Sequence, residues 1–76
     1  MNLRKNLQDN LIKLLKFNNL SQKDFAEICN VRESAVSKWI NGTQIPNVDL
    51  YDKICSYFKI SLDQLFGRQP LDLQEG

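Results

Sequence analysis

Histidine is missing from this chain of 76 residues, cysteine occurs only twice, and no excess of either charge sign is present, the net charge being +1. Without histidine neither a hydrolytic triad nor a metal-activated water can be assembled, and no serine or cysteine has an evident base partner, so an enzymatic role is not expected. Cys29 and Cys55 fall on apolar helical stripes without CxxC spacing. A zinc site wants four ligands and would find only two thiolates beside carboxylates, so no metal or cofactor is expected and buried reduced thiols are the better reading. A disulfide would require the two helices to touch, and cytosolic conditions argue against it. Long apolar runs are absent too, none approaching the ~20 residues needed to cross a bilayer. Polar groups interrupt the apolar positions between Met1 and Leu15 and no small-residue cleavage site follows, so no secretory signal is read and a cytoplasmic location is expected.

What is present suits a small globule: 42% hydrophobic and 25% charged residues. A chain this short buries only a little over ~60% of its surface, which leaves no room for a second core and little for a sensor domain. The charge is uneven along the chain. Residues 1–20 carry +3, residues 21–40 hold three of each sign, and residues 41–76 carry −2.

Apolar spacing and cap residues predict an all-α fold, a compact bundle of five short helices. The first spans Leu3 to about Asn18, with Leu7, Leu11 and Leu14 as its core stripe and Ile12 and Leu15 widening it. The second opens at Ser21, whose hydroxyl and the Asp24 carboxylate form a capping box, with Leu20 and Phe25 as its staple. It should stop near Cys29, since Asn30 tolerates the left-handed conformation. The third begins around Arg32 or Glu33 and ends at Asn41-Gly42. The loop through Pro46 follows, then a fourth helix capped by Asn47 with Val48, Tyr51, Ile54, Cys55 and Phe58 inward. Ser61 and Gln64 form a second capping box for a fifth helix from Leu62 to about Phe66, stopped at Gly67.

The stretch Leu20–Gly42 is the informative one. On its second helix Val36, Trp39 and Ile40 are apolar, whereas Glu33, Ser34, Ser37, Lys38 and Asn41 fall on the other side at offsets of three and four. A carboxylate, two hydroxyls, an ammonium and an amide on one helix face after a tight turn are suited to reading base edges in a major groove. A merely solvated helix face satisfies the same periodicity.

The ordered set Leu20-Ser21-Gln22, Phe25-Ala26-Glu27, Asn30-Val31, Ala35-Val36-Ser37-Lys38-Trp39 and Asn41-Gly42, with Ile45-Pro46 and Ile60 to Gly67 beyond it, resembles the helix-turn-helix domains of the Cro and lambda-repressor type, the XRE family. The likeness covers roughly residues 5–67. It implies a lambda repressor-like DNA-binding domain over residues 1–67, a transcriptional regulator that acts as a repressor, and double-stranded DNA as partner. Position by position it implies base contacts from Glu33, Ser34, Ser37 and Lys38, and phosphate contacts from Gln22, Asn41, Thr43 and Gln44. It also implies a homodimer on a palindromic operator. No membrane partner or small-molecule effector is evident.

Three departures stand out. Arg32 occupies a position that is usually a Ser or Thr cap, and a guanidinium offers no acceptor; the exposed N–H groups beside it make a reasonable phosphate site, so Arg32 joins the candidate phosphate contacts. Ile40 and Leu15 stand where a salt bridge is common. Lys59 stands where Gly often ends the fourth helix and should bear left-handed strain. The tail, residues 68–76, is read as disordered or as dimer-contacting through Leu71 and Leu73 together with Phe66. Near-neutral charge and the apolar residues Ile12, Leu15, Leu50 and Tyr57 keep a second reading open, a protein-interaction module such as an antitoxin or anti-repressor built on the same bundle.

Overall fold

Each helix in this chain is short, so its ends matter as much as its faces. The computed structural model describes residues 2–73, and in them the elements run α1 (Leu3–Phe17), α2 (Gln22–Cys29), α3 (Glu33–Asn41), α4 (Val48–Phe58) and α5 (Leu62–Leu65). No described helix is long and apolar enough to cross a membrane. The starts of α2 and α5 are the two capping boxes expected from the sequence, Ser21 with Asp24 and Ser61 with Gln64, each with both reciprocal bonds present. Asn2 adds a cap to α1, accepting the Lys5 N–H at 3.1 Å. Reversals fall on left-handed residues: Asn19, Asn30, Lys59, Gly42 and Gly67 all have positive φ. Lys59, at φ 58°, therefore carries the expected strain, about 1–2 kcal/mol for a residue with a Cβ.

The core is drawn from every helix. Leu7, Leu11, Leu14 and Leu15 of α1 meet Phe25, Ala26 and Cys29 of α2, Val36 and Trp39 of α3, Ile54 of α4 and Leu65 of α5. Phe25 is its centre: fully buried, it takes the Trp39 ring edge-on at 6.1 Å between centroids and the Phe58 ring at 5.8 Å. Such offset and edge contacts suit aromatic quadrupoles and add to the area that the rings bury. Burial pushes both thiols, Cys29 and Cys55, above their ordinary range, and both are free.

The shortest helix is held by side chains from the longest. α5 has only 4 residues, so it cannot satisfy its own last carbonyls. Asn10, a buried amide of α1, donates to the carbonyls of Gln64 at 3.0 Å and Leu65 at 2.9 Å. One turn earlier Asn6 donates to the Phe66 carbonyl at 3.1 Å. No buried side-chain polar atom among the described residues lacks a partner.

Two expectations fail at the start of α4. Asn47 precedes the helix but makes no side-chain cap; its backbone carbonyl instead accepts the Leu50 N–H at 2.9 Å. Val48 is 80% exposed rather than inward, because it sits in the first turn, beyond the edge of the core that Tyr51, Ile54 and Phe58 reach. The apolar surplus also shrinks, since Leu15 is buried and Leu50 packs against the core, leaving Tyr57 as the exposed member. After α5 the chain turns back, with Gln64 donating to the Pro70 carbonyl, and Leu71 and Leu73 lie half-buried against the core. Residues 74–76 of the tail lie outside the described residues.

Replacing Asn10 by Ala strands the Leu65 carbonyl and leaves the Gln64 carbonyl with only the Gly67 N–H, and it should lower unfolding free energy by about 1–3 kcal/mol in urea titrations. The Asp24 carboxyl is held below its ordinary value chiefly by the hydrogen bond from the Ser21 backbone N–H, then by the Ser21 hydroxyl. Its contribution is complete above the ordinary carboxylate value and drains away as pH falls toward the lowered one. Acid titration of Asp24→Asn should accordingly show a shallower loss of stability below about pH 4 than the parent chain.

Candidate nucleic-acid interface

Two short helices can present a common outer surface only if the turn between them is fixed. Here Asn30 closes α2 in the left-handed conformation, φ 58° and ψ 45°, and the Val31 N–H returns to the Ala26 carbonyl at 2.9 Å. With Asn30 left-handed and Ala26 small and buried, α3 comes in close across α2. Val36 and Trp39 then face inward, fully or almost fully buried, and Ile40 is half-buried.

The opposite face of α3 is open. Glu33, Ser34, Lys38 and Asn41 are exposed, as the sequence reading required of them. Ser37 differs: it is half-buried, and its hydroxyl donates to Gln22 Oε1 at 2.6 Å. That bond ties the first residue of α2 to the middle of α3 and leaves the Gln22 amide nitrogen as a donor. Ser37 keeps acceptor capacity beside the open face. The two residues therefore act as one unit.

The N-terminal end of α3 is uncapped. Arg32 is exposed at the N-cap position with φ −76° and ψ 150°, and its side chain makes no bond to the helix. The other end is closed by three successive devices. Gly42 is left-handed at φ 82°, the N–H groups of Gly42, Thr43 and Gln44 converge on the Lys38 carbonyl, and Gln8 of α1 donates to the Ile40 carbonyl at 2.8 Å. Asn41 Oδ1 accepts from the Thr43 N–H at 3.0 Å and pairs with the Thr43 hydroxyl, so the exposed Asn41–Gln44 segment is shaped by its own polar groups.

A helix-turn-helix family pattern matches residues 11–65. The chain belongs to the helix-turn-helix family of the Cro and lambda-repressor type. Family membership makes this a DNA-binding regulatory domain. Similar proteins include an antitoxin, PezA, of Streptococcus pneumoniae serotype 4 (strain ATCC BAA-334 / TIGR4), 31% identical over 62 residues that cover 82% of this chain and 39% of the relative. A helix-turn-helix transcriptional activator, BcrR, of Enterococcus faecalis is 34% identical over 53 residues, covering 70% of this chain and 26% of the relative. The chain thus spans well under half the length of either. No solved structure matches it.

Within this helix-turn-helix domain the structure gathers Gln22, Glu33, Ser34, Ser37 and Lys38 on the α2–α3 unit and places Asn41, Thr43 and Gln44 in the segment that closes α3. Phe66, Leu71 and Leu73 lie elsewhere, half-buried around α5 and the tail. Sequence reasoning missed Gln8, whose only signal is an amide flanking the α1 stripe. Substituting Arg32 by Ser supplies the acceptor that α3 lacks and should raise stability by about 0.5–2 kcal/mol, read from thermal or urea unfolding.

Proposed function

We propose that the chain is a sequence-specific transcriptional regulator that binds double-stranded DNA as a homodimer on a palindromic operator and represses by occluding a promoter. The observation that carries this reading is the outward face of α3, where Glu33, Ser34 and Lys38 are exposed above a hydrogen-bonded Ser37–Gln22 pair. α3 enters the major groove with those side chains against base edges, Lys38 suited to a guanine and the serine hydroxyls to almost any edge. Gln22, Arg32, Asn41, Thr43 and Gln44 hold phosphates on either side and set the register. Arg32 and the bare N–H groups of α3 form one of those contacts, so the missing cap is completed by DNA.

Dimerisation brings two such helices to half-sites about one helical turn, ~34–36 Å, apart. Phe66 is one support for it, since it shares a surface depression with Leu62 and Leu3, two of the exposed large apolar side chains. Leu71 and Leu73 are the tail's contribution to the same interface. A net charge of only +1 fits a modest affinity per monomer, raised by pairing two copies on one duplex.

A second reading, a bundle that holds a partner protein, is favoured by the likeness to a protein named an antitoxin and by exposed Ile45, Val48 and Tyr57. Salt dependence separates the two, because protein association lacks the steep counterion-release slope of duplex binding.

Selection of bound sites from random duplexes should recover a symmetric sequence; recovery of none overturns the regulator reading. On the selected site Lys38→Ala should cost about 1–3 kcal/mol and relax preference at one position, whereas Gln22→Ala should weaken cognate and random DNA alike. Arg32→Ser should weaken DNA binding while it stabilises the fold, and unchanged affinity would remove DNA from that end of α3.

A further inference from the structure

α1 begins against its own electrostatics. A helix N-terminus carries the positive end of the macrodipole and favours acidic side chains, yet the first turn of this 15-residue helix has none, and it places Arg4 and Lys5 there instead. Lys5 is compensated one turn on by Asp9, at 3.1 Å. Arg4 has no such partner among the described residues. A cation set at the unfavourable end of a helix is disfavoured unless an anion sits beside it.

The place for that anion is next to it. Arg4, Lys5 and Gln8 line one wall of a groove of about 270 Å³ whose other wall is Trp39, Gln44 and Ile45. Gln44 belongs to the segment proposed above to follow the sugar-phosphate chain. Gln8 is already bonded to the Ile40 carbonyl at 2.8 Å, so the groove is rigidly joined to the end of the reading helix. The Arg4 charge also reaches across to α4, where it acts on the Tyr51 hydroxyl against the effect of burial.

Charge distribution makes the same demand. Residues 21–40 hold three charges of each sign and residues 41–76 sum to −2, so beyond Arg32 the surplus of positive charge available to phosphate lies in residues 1–20. Of those, Lys13 borders the depression beside Leu71 and the tail. Lys16 is in the last turn of α1, ~18 Å along the axis from Arg4 at 1.5 Å per residue. Among the described residues Arg4 combines a guanidinium without an ion-pair partner with a position beside the α3 exit.

We infer that Arg4 binds a backbone phosphate of the duplex in the groove between α1 and the Gln44–Ile45 segment, outside the helix-turn-helix itself, and so fixes the height of α3 in the major groove. The guanidinium offers a bidentate fork to the phosphate oxygens, and the Gln44 amide closes the other side. This inference rests on the DNA-binding reading above. It adds a positioning residue that the motif does not contain.

Binding of a selected duplex is measured across salt concentration for the parent chain, Arg4→Ala, Arg4→Lys and Lys16→Ala. Arg4→Ala should lose roughly tenfold affinity near ~0.1 M salt and lower the slope of log affinity against log salt by about 1, on cognate and random duplexes alike. Arg4→Lys should keep the slope and recover only part of the affinity, because an ammonium lacks the fork. Lys16→Ala removes the same charge beyond a Debye length of ~10 Å from the groove and should leave the slope unchanged. Equal effects of Arg4→Ala and Lys16→Ala, or none from Arg4→Ala, overturn the contact while leaving the regulator reading intact. A parent chain that prefers no duplex overturns both.

Discussion

Short helices leave most of their terminal carbonyls without an internal partner, and the arrangement of this domain follows from how those groups are satisfied. Three amides on α1 do much of it: Asn6 and Asn10 reach the end of α5, and Gln8 reaches the end of α3. Each is a neutral hydrogen bond worth roughly 1 kcal/mol net, but an unmet buried carbonyl would cost about 1–3 kcal/mol, so their removal matters more than their presence. Because all three project from one rigid helix, α1 sets where α3 and α5 end. The apolar contacts around Phe25 then fill the space between ends whose positions are already defined.

That frame explains how a neutral-looking chain can present a reading helix. α3 is held from below by Val36 and Trp39, at its C-terminal end by Gln8 and Gly42, and along its side by the Ser37–Gln22 bond. Its N-terminal end and outer face are left unsatisfied by the protein. Rigid support on three sides with open polar groups on the fourth is what a surface needs if its donors and acceptors are to meet a partner without reorganising first.

Features governed by neighbours three or four residues away were legible in the sequence. Both capping boxes, the left-handed Asn30 and Gly42, the strained Lys59 and the exposure of Glu33, Ser34 and Lys38 all follow from local spacing. Val48 was misplaced because periodicity counts angle around a helix and is silent about distance along it; the residue lies at the right angle but past the end of the core. Asn47 failed as a cap for a related reason, since a suitable residue type does not determine which way its side chain turns after buried Pro46. The amides of α1 were illegible because their acceptors lie 32 to 60 residues away in the chain. Pairing of Ser37 with Gln22 spans 15 residues, and helical spacing alone places both without joining them.

Gly42 and Gly67 share a circumstance that ordinary turn glycines do not. Both are left-handed, and at each the space a methyl group would occupy is already filled by an α1 amide, Gln8 at 2.9 Å from the one and Asn6 at 2.8 Å from the other. Either glycine is thus locked to a distant position by crowding as well as by its own dihedral angle. A side chain at position 42 would make the Gln8 amide swing aside and lose the Ile40 carbonyl, whereas at position 67 the crowding reaches the Asn6 Cβ, 2.9 Å from where a methyl would stand, so there α1 itself must give. Across related sequences, then, positions 6 and 67, like 8 and 42, should vary as couples: wherever a bulkier residue has replaced the glycine, a smaller one should face it.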